Sequence, residues 1–126
     1  MGSRFSECTF TATEKETIEI VTSIENGCKY RVAGHSAFAA MQQVDEDIVN
    51  ALRQNKPIDD LRIEALATFV RKMIRSKGRV TQKDLILFFD AGFTKAQFIE
   101  VVLGISLKFF TNFISNAVSL PLDPIF

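Results

Sequence analysis

The sequence predicts an all-α protein, an array of about six helices, and three observations carry that prediction. Apolar residues recur at helical spacing through most of the chain. Threonines stand three residues before an acid or amide at several of the expected helix starts, the pattern of a capping box. No strand-like alternation of useful length interrupts them.

Taken in order, Thr13 followed by Glu16 reads as a capping box, and Thr17, Ile20, Val21 and Ile24 form a stripe. A first helix is therefore expected from Thr13 to Glu25, ended by Asn26-Gly27 with a left-handed stop. A second begins near Cys28 and runs to Gln43, and Asp45 starts a short third that closes before Pro57. The fourth is the most legible. Leu61, Ala65, Leu66, Phe69, Val70, Met73 and Ile74 make its apolar face, acids lead, bases trail, and Gly78 ends it. Thr81 with Asp84 caps a fifth, and Thr94 with Gln97 caps a sixth reaching Val118 before the prolines of "PLDPIF". This sixth helix is apolar almost all round. In a small protein such a helix is central or meets another chain, and homo-oligomerisation is expected.

The chain's 126 residues suit one domain, residues 1–126, with a single core. Net charge is zero, so the totals exclude the electrostatic footprint of a nucleic-acid or anionic-membrane binder. The basic run from Arg71 to Arg79 closes a helix and reads as a solvated face. Two cysteines are too few for a disulfide scaffold and, without a visible signal peptide, read as cytoplasmic thiols. The longest apolar segment, "FIEVVLGISLKFF", is interrupted by Glu100 and Lys108, so no membrane span is expected. "MGSRFS" matches an N-myristoylation pattern and equally an ordinary start. No cofactor or metal site is expected.

The chemistry gathers in "NGCKYRVAGH". On a helix starting near residue 28, Cys28, Arg31, His35 and Phe38 share one face. Unpaired backbone N–H groups at a helix start favour a thiolate, and Lys29 and Arg31 add positive charge. A lone cysteine beside a turn is equally a small apolar filler, and a single histidine in an apolar helix equally a hydrogen-bonded core residue. Glu16 points along the apolar stripe of the first helix and needs a partner. Arg31 supplies one in the purely structural reading.

Glu16, eleven residues, Cys28, two residues, Arg31, three residues, His35 is a spacing that resembles the carboxymuconolactone decarboxylase superfamily on its alkylhydroperoxidase D-like branch, whose motif is Glu-x11-Cys-x-x-Cys-x3-His. "TATEKETIEIVTSIENGCKYRVAGHSAFA" and the late "GFTKAQFIEVVLGISLKFFTNFISNAVSLPLDPIF" carry the resemblance across nearly the whole chain from Phe10 onward. Many longer relatives have additional helices before that point. The resemblance implies an all-helical fold assembling as trimers or hexamers, and a thiol peroxidase. In that activity a thiolate attacks a small hydroperoxide, and the sulfenic acid condenses to a disulfide that a thiol reductant restores. By the same resemblance Glu16 and His35 form a proton relay, and Cys28 takes the first-cysteine role, usually the resolving one. Arg31 stands where the attacking cysteine belongs, and is expected to pair with Glu16 and blunt it as a base. Asn116 falls where relatives often carry a histidine.

Three functional readings follow. Cys28 is itself peroxidatic, resolved by Cys8 or by an outside thiol. Or Glu16 and His35 transfer protons without a thiol, as in decarboxylases of the same superfamily. Or the chain is an inactive oligomeric member.

Overall fold

A computed structural model describes residues 9–28 and 44–118 of the chain. Among the described residues the fold is all-α, with five helices: α1 (Ala12–Glu25), α2 (Glu46–Arg53), α3 (Leu61–Arg75), α4 (Gln82–Asp90) and α5 (Lys95–Val118). The helix expected between Cys28 and Gln43 lies outside them.

Most helix starts are set by local chemistry. Thr81 and Asp84 exchange side-chain and backbone hydrogen bonds at the start of α4, as Thr94 and Gln97 do before α5. Asp45 caps α2 and Asp60 caps α3. The first helix departs from expectation, because the box is Thr11–Glu14. Thr11 N–H donates to Glu14 Oε1 at 3.0 Å, and Glu14 N–H donates to Thr11 Oγ1 at 3.1 Å. "TATEKE" holds two overlapping motifs of the same spacing. The earlier one lets the helix begin sooner and releases Glu16 from capping, so that its side chain is free to turn inward.

The core forms where α1 packs against α3 and α5. Ile20, Leu66, Ala67, Val70 and Val101 are completely buried. Phe88 of α4 stacks on Phe69 at 4.3 Å between ring centroids and on Phe93 at 4.7 Å, closing the core from the α4 side. Burial of this kind stabilises by roughly 1.5–3 kcal/mol per large apolar side chain. Leu61, expected on the buried face of α3, is 82% exposed. It occupies the first helical position, half a turn from the stripe through Ile63, Leu66 and Val70, and so faces away from the core.

Two polar ties orient the layers. Arg62 Nε donates to Glu14 Oε2 at 2.7 Å, its Nη1 donates to the Ala91 carbonyl at 3.2 Å, and its guanidinium lies 4.0 Å from the Phe93 ring centroid. One arginine thus links the α1 cap, α3 and the α4–α5 turn. Gly104 is the close approach between α1 and α5: a Cβ there would sit 3.4 Å from Ile18 Cγ2.

Helix α5 buries Gln97, Val101 and Asn112 inward. Its opposite side carries Ile99, Leu103, Leu107, Phe110, Phe113 and Ile114, each at least 40% exposed. At about 3.6 residues per turn these six fall on one stripe, facing away from Val101 and Asn112. By length and composition alone α5 is also long and apolar enough to cross a membrane. Beside this stripe a cleft of about 460 Å³ runs between the end of α3 and α5, floored by Met73, Ile74, Ile105 and Phe109, with Lys77 at its rim.

Candidate active site

The candidate site is built on one face of α1. Glu16, Ile20 and Ser23 succeed one another at four- and three-residue spacing, so they point the same way, and Cys28 lies beyond the helix in the turn that follows Glu25. Glu16 is only 4% exposed, an unusual place for a carboxylate, and it is engaged in an interaction rather than free. Thr17, Thr22 and Ser23 of the same helix are completely buried. Thr17 and Thr22 donate their hydroxyls to carbonyls one turn back, Thr13 and Ile18.

Cys28 leaves α1 through a Schellman turn. Gly27 takes φ +66°, a conformation that side chains with a Cβ resist, and its N–H donates to the Ile24 carbonyl at 3.0 Å. The Cys28 N–H then donates to the Ser23 carbonyl at 2.9 Å. Two consequences differ from the sequence expectation. The amide of Cys28 closes the preceding helix instead of standing unpaired at the start of a new one. Its side chain is covered, the residue being 2% exposed.

The turn is gripped from α5. Asn112, completely buried, donates from Nδ2 to Ser23 Oγ at 3.2 Å and accepts at Oδ1 from Asn26 Nδ2 at 3.0 Å. One helical turn further, Asn116 Nδ2 donates to the Asn26 carbonyl at 2.9 Å. Arg75 meets Glu25 through two parallel bonds at 2.7 and 3.0 Å, tying the last turn of α1 to the last turn of α3. These bonds raise the Arg75 guanidinium above its ordinary value, the hydrogen bond to Glu25 leading and the charge of Glu25 following.

Of the residues expected at the site, the structure places Glu16 in α1 and Cys28 in the turn that follows it, both buried. Arg31, His35 and Cys8 lie outside the described residues. Sequence reasoning passed over Ser23, Asn26 and Asn112. The signal was present in one form, since Asn112 and Asn116 stand at i and i+4 of α5, a spacing that puts two amides on the same face of the helix. Among the described residues no group of three or more His, Cys, Asp or Glu side chains is placed to hold a metal ion.

No protein-family model matches the chain, and no curated protein matches it. Among solved structures, an uncharacterized peroxidase-related protein from Silicibacter sp. TM1040 is similar to it, with a TM-score of 0.80 and 21% sequence identity. The match covers 94% of this chain and 63% of that protein, so the chain spans less than two thirds of its length. At this identity the likeness establishes the fold: the all-α arrangement built on α1, α3 and α5 is one shared with a peroxidase-related protein.

Proposed function

We propose that this chain is a thiol-dependent peroxidase of the alkylhydroperoxidase D-like kind, acting on small hydroperoxides at a degenerate site with reduced turnover, in the cytoplasm and as a homo-oligomer. The observation that carries the reading is Glu16, a 4% exposed carboxylate in the helix whose exit turn holds the buried Cys28, in a fold shared with a peroxidase-related protein. Glu16 lies on the order of 15 Å from Cys28 along the helix at about 1.5 Å rise per residue, so its carboxylate reaches that thiol only through an intermediate group, the role proposed here for His35.

In the proposed reaction Cys28, as thiolate, attacks the terminal oxygen of ROOH. The O–O bond breaks, sulfur takes that oxygen and becomes a sulfenic acid, and the remaining RO⁻ takes a proton from the Glu16–His35 relay to leave as ROH. A thiol, Cys8 or an external one, condenses with the sulfenic acid, releasing water and forming a disulfide. A further external thiol restores Cys28 by exchange. Arg31 in place of the motif's second cysteine removes the neighbouring thiol that would otherwise complete this cycle internally, and turnover is slowed accordingly.

The oligomer is proposed from the outer stripe of α5. At roughly 150–250 Å² for a whole aromatic side chain, the six part-exposed residues present on the order of 600 Å² of apolar surface. That is the top of the range for one patch on a monomer, about 300–600 Å², and most of the ~800 Å² each partner gives to a standard interface. A second copy of the chain covers it, with the cleft between α3 and α5 taking side chains from that copy.

A second reading, an oligomer without catalysis, is favoured by the burial of Cys28, which offers peroxide little access. Restoring the motif with Arg31→Cys separates the two. A disabled peroxidase gains peroxide turnover in the presence of a dithiol reductant by ten-fold or more over a slow parent that Cys28→Ser silences. If Arg31→Cys folds, oligomerises and still consumes no peroxide, the peroxidase reading fails.

A further inference from the structure

We infer that Asn112 and Asn116 of α5 are positioning residues for Cys28: they clamp the turn from Ser23 to Cys28 and so set how readily its sulfur is reached. The inference takes its functional meaning from the thiol reading above, and its geometry stands apart from it.

The contact between α1 and α5 includes the apolar Gly104–Ile18 approach and the Lys108–Glu19 ion pair, and at the end that delivers Cys28 it carries hydrogen bonds between side-chain amides and a buried hydroxyl. An amide at zero exposure is costly unless it is paired, and leucine would fill the same space more cheaply. The Asn112 side chain bonds to this turn twice, once to Ser23 and once to Asn26. Asn116 adds a bond to the Asn26 backbone. Cys28 is in turn fastened to Ser23 through its own N–H. The four groups form a short lever, in which releasing Ser23 and Asn26 from α5 releases the residue that holds Cys28. Because Cys28 is 2% exposed, a reagent reaches its sulfur only through some opening of the structure. The clamp makes the smallest such opening the detachment of this turn alone, a local event rather than global unfolding.

The test is the rate at which iodoacetamide modifies the Cys28 peptide in the full-length native protein, followed by mass spectrometry at increasing sub-denaturing urea. Local opening exposes little surface, so the rate changes little with urea, whereas opening by global unfolding climbs with the full unfolding slope. Asn116→Ala, which removes the bond to the Asn26 carbonyl, is expected to raise the rate about five-fold, and Asn112→Ala ten-fold or more, both with the shallow urea dependence kept. Amide exchange at Leu66 and Val70 in α3 serves as the global reference and is expected to move less than the Cys28 rate. Should Asn112→Ala fail to fold, Asn116→Ala decides alone. Unchanged modification rates, or rates that rise only in step with global unfolding, overturn the inference. Peroxide turnover is read on the same variants: a responsive Cys28 with no turnover in any of them removes the peroxidase reading and leaves the clamp in place.

Discussion

The two sides of this molecule invert the usual distribution of side chains. Along the inner face of α1 and its junction with α5, the protein buries Glu16, Ser23 and Asn112, groups that prefer water. Along the outer stripe of α5 it exposes Ile99, Leu103, Phe110 and Phe113, groups that avoid it. Each side carries a cost that packing alone gives no reason to accept. The inner polar groups offset theirs by hydrogen bonding, and what they gain is a defined position for the chain around Cys28. The outer apolar groups have no such internal remedy, and their cost is met only by something that covers them. The contrast separates the place where the proposed chemistry would be held still from the place where the proposed second copy would pack.

The largest effect is expected on the outer side. Phe110→Asp places a charge in the middle of the stripe and is expected to weaken self-association by about 100-fold, the size of an interface hot spot. The folded protomer should change by no more than about 0.5 kcal/mol, as for a surface substitution. Sedimentation velocity across a concentration series reads the first, and urea unfolding of the dissociated chain reads the second. A parent that is monomeric at every concentration breaks the comparison at this end.

On the inner side, Asn112→Leu makes the seam as apolar as the stripe. Because Ser23 and Asn26 keep their polar atoms and lose their partner, a loss of about 1–3 kcal/mol is expected in urea unfolding. A gain in stability instead would show that the seam tolerates an apolar filler and that its polarity has no local role. Arg62→Ala tests whether the inner carboxylates differ among themselves. Glu14 is 3% exposed, but its partner arginine is partly in water with 38% of its side chain accessible, so the expected cost is moderated to about 2 kcal/mol. Thermal unfolding of Arg62→Ala measures it, and Arg62→Lys is expected to recover only part, since lysine lacks the fork that also reaches the Ala91 carbonyl.

Much of this fold was legible before the structure. The boxes Thr81–Asp84 and Thr94–Gln97 were readable because everything they need lies within four residues. The α3 core positions Leu66, Phe69 and Val70 were readable from their period. Thr11 and Thr13 offer the same motif two residues apart, and nothing local chooses between them. The partner that sets Glu14 apart lies far along the chain, since Arg62 Nε donates to its Oε2 at 2.7 Å, and that contact is a property of the whole fold. Leu61 misled for a related reason, being apolar and at the right end of α3 but on the wrong side of it. At the site, Glu16 and Cys28 were found by spacing. Asn112 was not, because its partners Ser23 and Asn26 lie more than eighty residues away and only the packing of α5 on α1 joins them.

The smallest effect concerns the α3–α4 edge, remote from both sides. Asp84 accepts from Lys72 at 2.7 Å and from the Thr81 N–H at 3.0 Å, and these bonds, that of Lys72 first, hold its carboxyl below the ordinary aspartate value. A carboxyl with a depressed value in the folded state contributes stability above about pH 4 and loses it as pH falls further, through the folded value. Asp84→Asn is therefore expected to lower the neutral plateau of a stability–pH curve slightly and leave its acid end unchanged, so that the acid limb flattens, as read by circular dichroism. An identical acid limb in both proteins would mean that this pair contributes nothing.

The central claim is that the sulfur at the exit of α1 reduces peroxide, and the oxidation of Cys28 tests it most directly. Unsubstituted protein is mixed with one equivalent of an alkyl hydroperoxide, and the sulfenic acid is trapped with dimedone and located by mass spectrometry. The account predicts label on Cys28, appearing faster than on a free model thiol and matched by release of one equivalent of the alcohol. Label that stays off Cys28 while the model thiol is consumed would contradict it.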